Sequence, residues 1–255
     1  MAQRIEILGT PVDLCDREAA VGRVAAWLSQ PQGGLRQVVT VNPEYVMAAR
    51  RRARFRTVLQ QADLALADGV GLLLAARLLR KPVPRRITGN DLVDALAGLD
   101  HPGKRVFLLG AAEGVAEQAA AVLHERHTSA SIVGTFSGDA RPAGWAAIAR
   151  SLERHRPTVL FVAFGHPRQD LWIAAYRERL EAHGILVAAG VGGAYDYLSG
   201  RVPRAPGWLR RLGLEWLYRL VRQPWRWRRQ AALPVFVVLV IVEAIRSASG
   251  LRRVW

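Results

Sequence analysis

Seven short aliphatic runs (Ile5–Leu8, Gln37–Val41, Asp63–Ala67, Arg105–Leu109, Ser131–Thr135, Thr158–Phe164 and Ile185–Ala189) are separated by segments in which alanine, leucine and arginine recur at helical spacing, as in Glu113–His127 and Arg168–His183. Strands this short and this apolar have no wet face, which suits a parallel sheet covered by helices on both sides. The helical segments between them are the crossovers that parallel neighbours require. The expected fold is therefore α/β: a Rossmann-like, mostly parallel sheet with helices on both faces. In such sheets the ligand crevice lies beyond the carboxyl ends of the strands, so the residues that end each run are where chemistry is expected.

Several of those residues are unusual. The stretch "TVNPEYVMAAR" carries Thr40 on a strand, then Asn42 and Pro43. Asn before Pro is an ordinary helix start, and a helix N-terminus also presents free N–H groups to an anion or a sugar hydroxyl. "ADLALADGVG" delivers Asp68 and two glycines. A turn explains Asp-Gly, and a general base would need the same carboxylate with close access for a ligand. At its ordinary pKa of about 4 an aspartate is a weak base, so a dry pocket or favourable geometry must help it. "RKPVPRRITGNDL" offers Arg80, Lys81, Arg85 and Arg86, of which one arginine could neutralise a diphosphate.

"RVFLLGAAEGVAEQAA" reads as strand, turn and helix, with Gly110 placed to let a nucleotide phosphate approach; its G-x-x-x-G spacing lacks the dinucleotide fingerprint. "FVAFGHPRQDLW" presents His166, Arg168, Gln169 and Asp170 at a helix start, and "AAGVGGAYDYLSG" repeats the design with Gly190, Gly192 and Gly193. Asp-x-Asp, Cys-x-x-Cys and His-Glu helix motifs are missing from the sequence, so a divalent metal is not indicated and no cofactor is expected. A nicotinamide-dependent dehydrogenase is disfavoured by the missing G-x-G-x-x-G turn. The single cysteine, Cys15, excludes an internal disulfide.

The formal net charge of +15 calls for an anionic partner, and its distribution narrows the choice. Residues 201–255 hold twelve arginines against Glu215 and Glu243, a net of +10, together with five of the eight tryptophans. Residues 1–200 are only mildly basic, which disfavours a nucleic-acid partner, although arginine and tryptophan interleaved as in "QPWRWRR" could stack on bases. We place a domain boundary at Gly200, before "RVPRAPGW": residues 1–200 form the α/β domain and 201–255 a basic, tryptophan-rich appendage. Within it, Ala231–Ile245 is about 22 Å as a helix, short against a hydrocarbon core of about 30 Å, and Pro234 and Glu243 are expected to shorten it further. An aromatic and cationic stretch before a short apolar helix favours monotopic attachment to an anionic membrane surface over a span. The N-terminus lacks the apolar core of a signal peptide, so the bulk of the protein is expected on the cytoplasmic side.

The motifs "TVNPE", "ADGVG", "RRITGNDL", "GHPRQDLW" and "GVGGAYDYLSGRVPRAPGWLRRLGLEWLYRL", with the "QPWRWRR" that follows, resemble the WecG/TagA/CpsF family, glycosyltransferase family 26, collinearly over nearly the whole chain. The resemblance implies an inverting, metal-independent bacterial enzyme of cell-surface polysaccharide or teichoic acid synthesis. Its donor would be a UDP-sugar, often UDP-N-acetylmannosamine, and its acceptor an undecaprenyl-diphosphate-linked GlcNAc. It matches the family's base to Asp68, its pocket residues to Thr40, Asn42 and Gln169, and its diphosphate-binding arginine to Arg86. Three family arginines of the appendage match Arg219, Arg226 and Arg229, which would meet lipid headgroups or the acceptor's diphosphate. Arg168 and Asp170 stand where the family more often has Lys and Glu. The resemblance places the protein at the cytoplasmic face of the bacterial membrane and leaves homo-oligomerisation open.

Overall fold

The computed structural model describes residues 3–203, 205–207, 209, 215–222 and 227–249. Two strands, β1 (Arg4–Ile7) and β2 (Thr10–Asp13), pair antiparallel as a hairpin. The main sheet has six strands: β3 (Arg36–Val41), β4 (Leu64–Ala67), β5 (Val106–Gly110), β6 (Ile132–Phe136), β7 (Val159–Ala163) and β8 (Val187–Gly190). They are all parallel, in the order β4-β3-β8-β7-β5-β6. The mostly parallel α/β sheet expected from the alternation is thus present, with one correction. The Ile5–Leu8 run belongs to the separate hairpin, because Gly9, at φ +77°, turns the chain straight back instead of feeding a crossover.

Successive residues of each strand point to opposite faces; both faces are buried along β4, β5 and β8 and nearly so along β3 and β7, while the edge strand β6 is half-buried. Val106 and Leu108 of β5 pack with helices α1 (Arg17–Leu28), α5 (Gly89–Ala97), α6 (Val115–Arg126) and α10 (Ala194–Leu198). Phe107 and Leu109 pack on the other side, among α7 (Trp145–His155), α8 (Arg168–Ala175) and α9 (Arg177–Ala182). At the β4 end of that second side, Val39, Val41, Ala65 and Ala67 meet the hairpin and α2 (Pro43–Arg51), α3 (Ala53–Gln61) and α4 (Val70–Leu78). The Arg168–His183 segment, expected as one helix, is two, with Tyr176 between them.

The hairpin covers an edge that would otherwise invite pairing with another strand. Asp13 accepts a hydrogen bond from the backbone N–H of Ala65 on edge strand β4 (2.7 Å) and is itself held by Arg4 through two bonds of 2.9 Å. Helix starts follow the sequence signals: Asp16 caps α1, Asn42 caps α2 with Pro43 in its first turn, and Thr88 with Asp91 forms a capping box on α5.

Residues 215–248 include α11 (Glu215–Arg222), α12 (Trp227–Gln230) and α13 (Ala232–Ala248). Helix α13 spans 17 residues, about 25 Å, and neither Pro234 nor Glu243 shortens it. Pro234 sits in the first turn, where its missing N–H costs nothing, and Glu243 pairs with Lys81 at 3.8 Å. Among the described residues no helix is long and apolar enough to cross a membrane. One face of α13 is part of the protein core: Phe236 and Val240, each 3% exposed, pack against residues of α2 and α4. Replacing a well-packed Phe with Ala costs roughly 3–5 kcal/mol. Phe236→Ala should therefore lower the thermal midpoint and quicken amide exchange within 232–248 before the rest of the domain; wild-type values for both would mean that α13 is not docked here.

Candidate active site

Because all six strands run the same way, their carboxyl ends gather at one edge, and a cleft of about 780 Å³ opens there. Thr40 and Asn42 follow from β3, Asp68 from β4, Ala111 and Ala112 from β5, Phe164 to His166 from β7, and Val191 to Ala194 from β8. Arg86 joins them because the chain returns beside β4, where Ile87 donates its N–H to Ala67 and Arg86 forms an isolated parallel bridge with the same residue. Part of the lining is apolar: Leu74 and Leu78 of α4 and Leu233, Phe236 and Val237 of α13. The same cleft thus has a carboxylate, an arginine and a hydrocarbon-like wall among its lining residues.

The geometry is specific at each polar position. The backbone N–H of Asp68 donates to Val41 at 2.6 Å, so the start of the Asp68–Gly69 turn is tied to β3. Gly69 itself has φ +105°, a conformation that disfavours any side chain. Thr40 is buried and donates its hydroxyl to the Gly190 carbonyl at 3.3 Å. Asn42 uses its side-chain oxygen on the Tyr45 N–H at 3.0 Å, so its carboxamide oxygen serves the helix start as well as lining the cleft. Gln169 spans two elements: its amide nitrogen donates to the Tyr45 hydroxyl at 3.0 Å and its oxygen accepts the Gly192 N–H at 3.0 Å.

Of the residues expected at the site, Thr40, Asn42, Asp68, Arg86, Gln169 and Gly192 all line this cleft. Gly110 does not, and is corrected: its neighbours Ala111 and Ala112 do. Gly110, at φ +101°, lies where a Cβ would come within 2.9 Å of the Ala163 backbone, so glycine is required there for the approach of β5 to β7. The Gly192 N–H is taken by Gln169, so what Gly192 offers a ligand is close access. Lys81 turns away to Glu243 and to the Glu6 carbonyl. Arg219 and Arg229 fall on α11 and α12 with only their backbone described, and Arg226 lies outside the described residues.

Sequence reasoning passed over Tyr45 and Glu44, and named His166 only as part of a helix start. Tyr45 lies inside the "TVNPEY" motif, where an aromatic in the first turn of a helix reads as core. It is 2% exposed, stacks on the His166 ring with centroids 5.1 Å apart, and donates its hydroxyl to Asp170 at 2.8 Å. His166 lies 3.7 Å from Glu44 across the rim. Among the described residues no group of three or more His, Cys, Asp or Glu is arranged to hold a metal ion.

A family model described as the glycosyl transferase WecG/TagA/CpsF family matches residues 5–250. The chain belongs to the WecG/TagA/CpsF family. It is similar to proteins named N-acetylglucosaminyldiphosphoundecaprenol N-acetyl-beta-D-mannosaminyltransferase. The one from Bacillus subtilis (strain 168) is 34% identical over 207 residues, covering 81% of this chain and 79% of the relative. That from Bacillus spizizenii is 35% identical over 223 residues, covering 87% and 84%. That from Staphylococcus aureus (strain MRSA252) is 29% identical over 240 residues, covering 92% and 91%. The protein is accordingly a glycosyltransferase, and the cleft at the sheet edge is its candidate active site.

Beside that cleft, burial raises the Asp170 carboxyl from the ordinary range to about 7, opposed in part by the hydrogen bond from Tyr45. Burial, next to the Asp170 carboxylate, also pushes the Tyr45 phenol well up, so it stays protonated as a donor. The linkage has a definite sign. Between the unfolded value of 3.8 and about 7, the unfolded chain releases the Asp170 proton while the folded glycosyltransferase keeps it, so this residue lowers stability as pH rises through that window. Denaturant melts from pH 4 to 8 should show Asp170→Asn losing less stability with rising pH than wild type; parallel curves would mean that Asp170 does not titrate in this range.

Proposed function

We propose that this glycosyltransferase moves N-acetylmannosamine, or a related hexose, from its UDP-sugar to an undecaprenyl-diphosphate-linked GlcNAc, in the synthesis of a bacterial cell-surface polysaccharide or teichoic acid. The observation that carries this reading is the make-up of the cleft. Asp68 and Arg86 line it together with an apolar wall shared by α4 and α13. A soluble acceptor would not need such a wall, whereas a lipid-linked one would. The relatives named above as transferring N-acetylmannosamine to N-acetylglucosaminyldiphosphoundecaprenol support the substrate pair.

In the proposed reaction the Asp68 carboxylate accepts the proton of an acceptor hydroxyl as its oxygen attacks the anomeric carbon from the face opposite the leaving group. The bond from that carbon to the diphosphate oxygen breaks with its electron pair, so the product is inverted and UDP leaves as the anion. Arg86 offsets the charge that gathers on the diphosphate; its guanidinium plane can meet two phosphate oxygens at once. Thr40, Asn42 and Gln169 line the cleft where the sugars would lie. Asp68→Asn keeps the shape and removes the base, so it should cut turnover by about 10² to 10⁴ while UDP binding measured by titration calorimetry stays near wild type. Wild-type turnover in that variant would reduce Asp68 to a turn residue.

We further propose that residues 201–255 form an appendage that holds the enzyme on the cytoplasmic membrane surface without spanning it. Helix α13 turns Val237, Val238, Ile241 and Ile245 outward, each at least 43% exposed, and α4 adds Leu74 and Leu78 at 55% and 48%. Exposed apolar residues grouped on adjacent helices are a mark of an interaction face, and the surrounding +10 of residues 201–255 favours anionic lipid as its partner. In this reading Arg219, Arg226 and Arg229 meet headgroups or the acceptor's diphosphate. Full-length protein should float with anionic liposomes and be released by carbonate. Val238→Glu combined with Ile245→Glu should abolish flotation without altering the melt; equal flotation of that variant would overturn this surface.

A further inference from the structure

Asp170 is fully buried beside the active site and is not explained by packing. Its Oδ2 accepts from the Tyr45 hydroxyl at 2.8 Å, and its Oδ1, also buried, has no hydrogen-bond partner among the described residues. A buried acid held by one side-chain bond is poor value for stability, and an apolar residue of similar size would serve a core as well. Room has nevertheless been kept for it. A Cβ on Gly190 would come within 2.4 Å of Asp170 Oδ1 and 2.6 Å of Gln169 Nε2, so the end of β8 tolerates no side chain at that point.

The hydrogen bonds around Asp170 run in one direction. A carboxylate only accepts, so Tyr45 must give it the hydroxyl proton. The Tyr45 oxygen is then left with lone pairs, so Gln169 must present its nitrogen, at 3.0 Å. Gln169 therefore turns its oxygen to the Gly192 N–H, at 3.0 Å. Reversing the amide would set oxygen against oxygen at Tyr45 and N–H against N–H at Gly192. The neutral acid with its proton on Oδ1 leaves the same Oδ2 facing Tyr45; with the proton on Oδ2 the Tyr45 bond reverses, but the Gly192 N–H still requires the Gln169 oxygen and so the same amide orientation.

We propose that Asp170 and Tyr45 are positioning residues for glycosyl transfer. Acting in series, they fix the Gln169 amide with its nitrogen inward on Tyr45 and its oxygen on the Gly192 N–H, which clamps the Gly190–Gly193 turn against the cleft. The second N–H of the same amide is thereby kept as a donor for a sugar oxygen of the bound substrate. Neither Asp170 nor Tyr45 touches the reacting atoms in this scheme. The inference rests on the glycosyltransferase reading for its kinetic consequence and on the bonds themselves for its structural one.

Tyr45→Phe removes the hydroxyl and its two bonds with almost no change of volume, and Asp170→Ala removes the other end of the chain. Asp170→Asn keeps an oxygen for Tyr45 and serves as the conservative comparison. With UDP-N-acetylmannosamine and a short-chain lipid-diphosphate-GlcNAc, Tyr45→Phe should lower kcat about tenfold per folded molecule, as loss of one hydrogen bond of ordinary worth implies, with a smaller change in the donor KM. Asp170→Asn should retain more activity than Asp170→Ala. Amide exchange at Gly192 should quicken in Tyr45→Phe. Wild-type kcat and wild-type Gly192 protection in a folded Tyr45→Phe protein would overturn the proposal, as would a loss of activity that merely tracks the unfolded fraction. If the wild-type enzyme shows no transfer with any UDP-sugar, the substrate reading fails, and the clamp then stands or falls on Gly192 exchange alone.

Discussion

A parallel strand cannot return by a tight turn, so each of the first five strands hands its chain to a crossover, and all six end at the same edge of the sheet. Everything this protein does follows from that constraint. It brings together residues from Thr40 to Gly192 that have no relation in sequence, and it does so on backbone fixed by the hydrogen bonds of the sheet. Asp68 inherits its position from β4 through the bond of its N–H to Val41. Arg86 inherits its own from the bridge beside Ala67. In the proposed reaction a carboxylate and a guanidinium placed on such a frame need little reorganisation, which is what transition-state stabilisation requires.

The polar and apolar walls of the cleft are built by different physics. Among the polar residues, donors and acceptors are paired: Thr40 on Gly190, Asn42 on Tyr45, Gln169 on Tyr45 and Gly192. Each pairing satisfies a buried group and at the same time fixes a wall of the site. The apolar part of the wall is made by α13 docking on α2 and α4, so the last described helix is both a core element and part of the cleft boundary. The outward face of that helix stays apolar and exposed, with Glu243 held aside by Lys81. A helix that is apolar on more than one side has two surfaces to cover, and the fold covers one of them.

How much of this was legible beforehand differs from element to element. The strands of the sheet could be read from aliphatic runs such as Val106–Leu109, because a strand buried on both faces has no polar alternation to confuse it. The N-cap at Asn42 was legible because Asn followed by Pro writes a helix start in two consecutive positions. The hairpin that takes up Ile5–Ile7 was not, since its role is to bind an edge strand some fifty residues away through Asp13. Gly110 misled for a related reason: a glycine kept for a ligand and one kept for the neighbouring Ala163 backbone look alike until the strands are laid side by side.

By itself the sequence determined the α/β class, the edge at which the chemistry gathers, the family, and the residue types at Asp68, Arg86 and Gln169. These depend on local periodicity, strand termini and short motifs, all of which are written over a few consecutive positions. Tertiary structure decided the rest: that Tyr45 and Asp170, from α2 and α8, stand behind Gln169, that Lys81 belongs to Glu243, and that Phe236 and Val240 fill the core. Those are contacts between residues more than 120 positions apart, and their energies come from burial and hydrogen-bond direction, which exist only once the chain has folded.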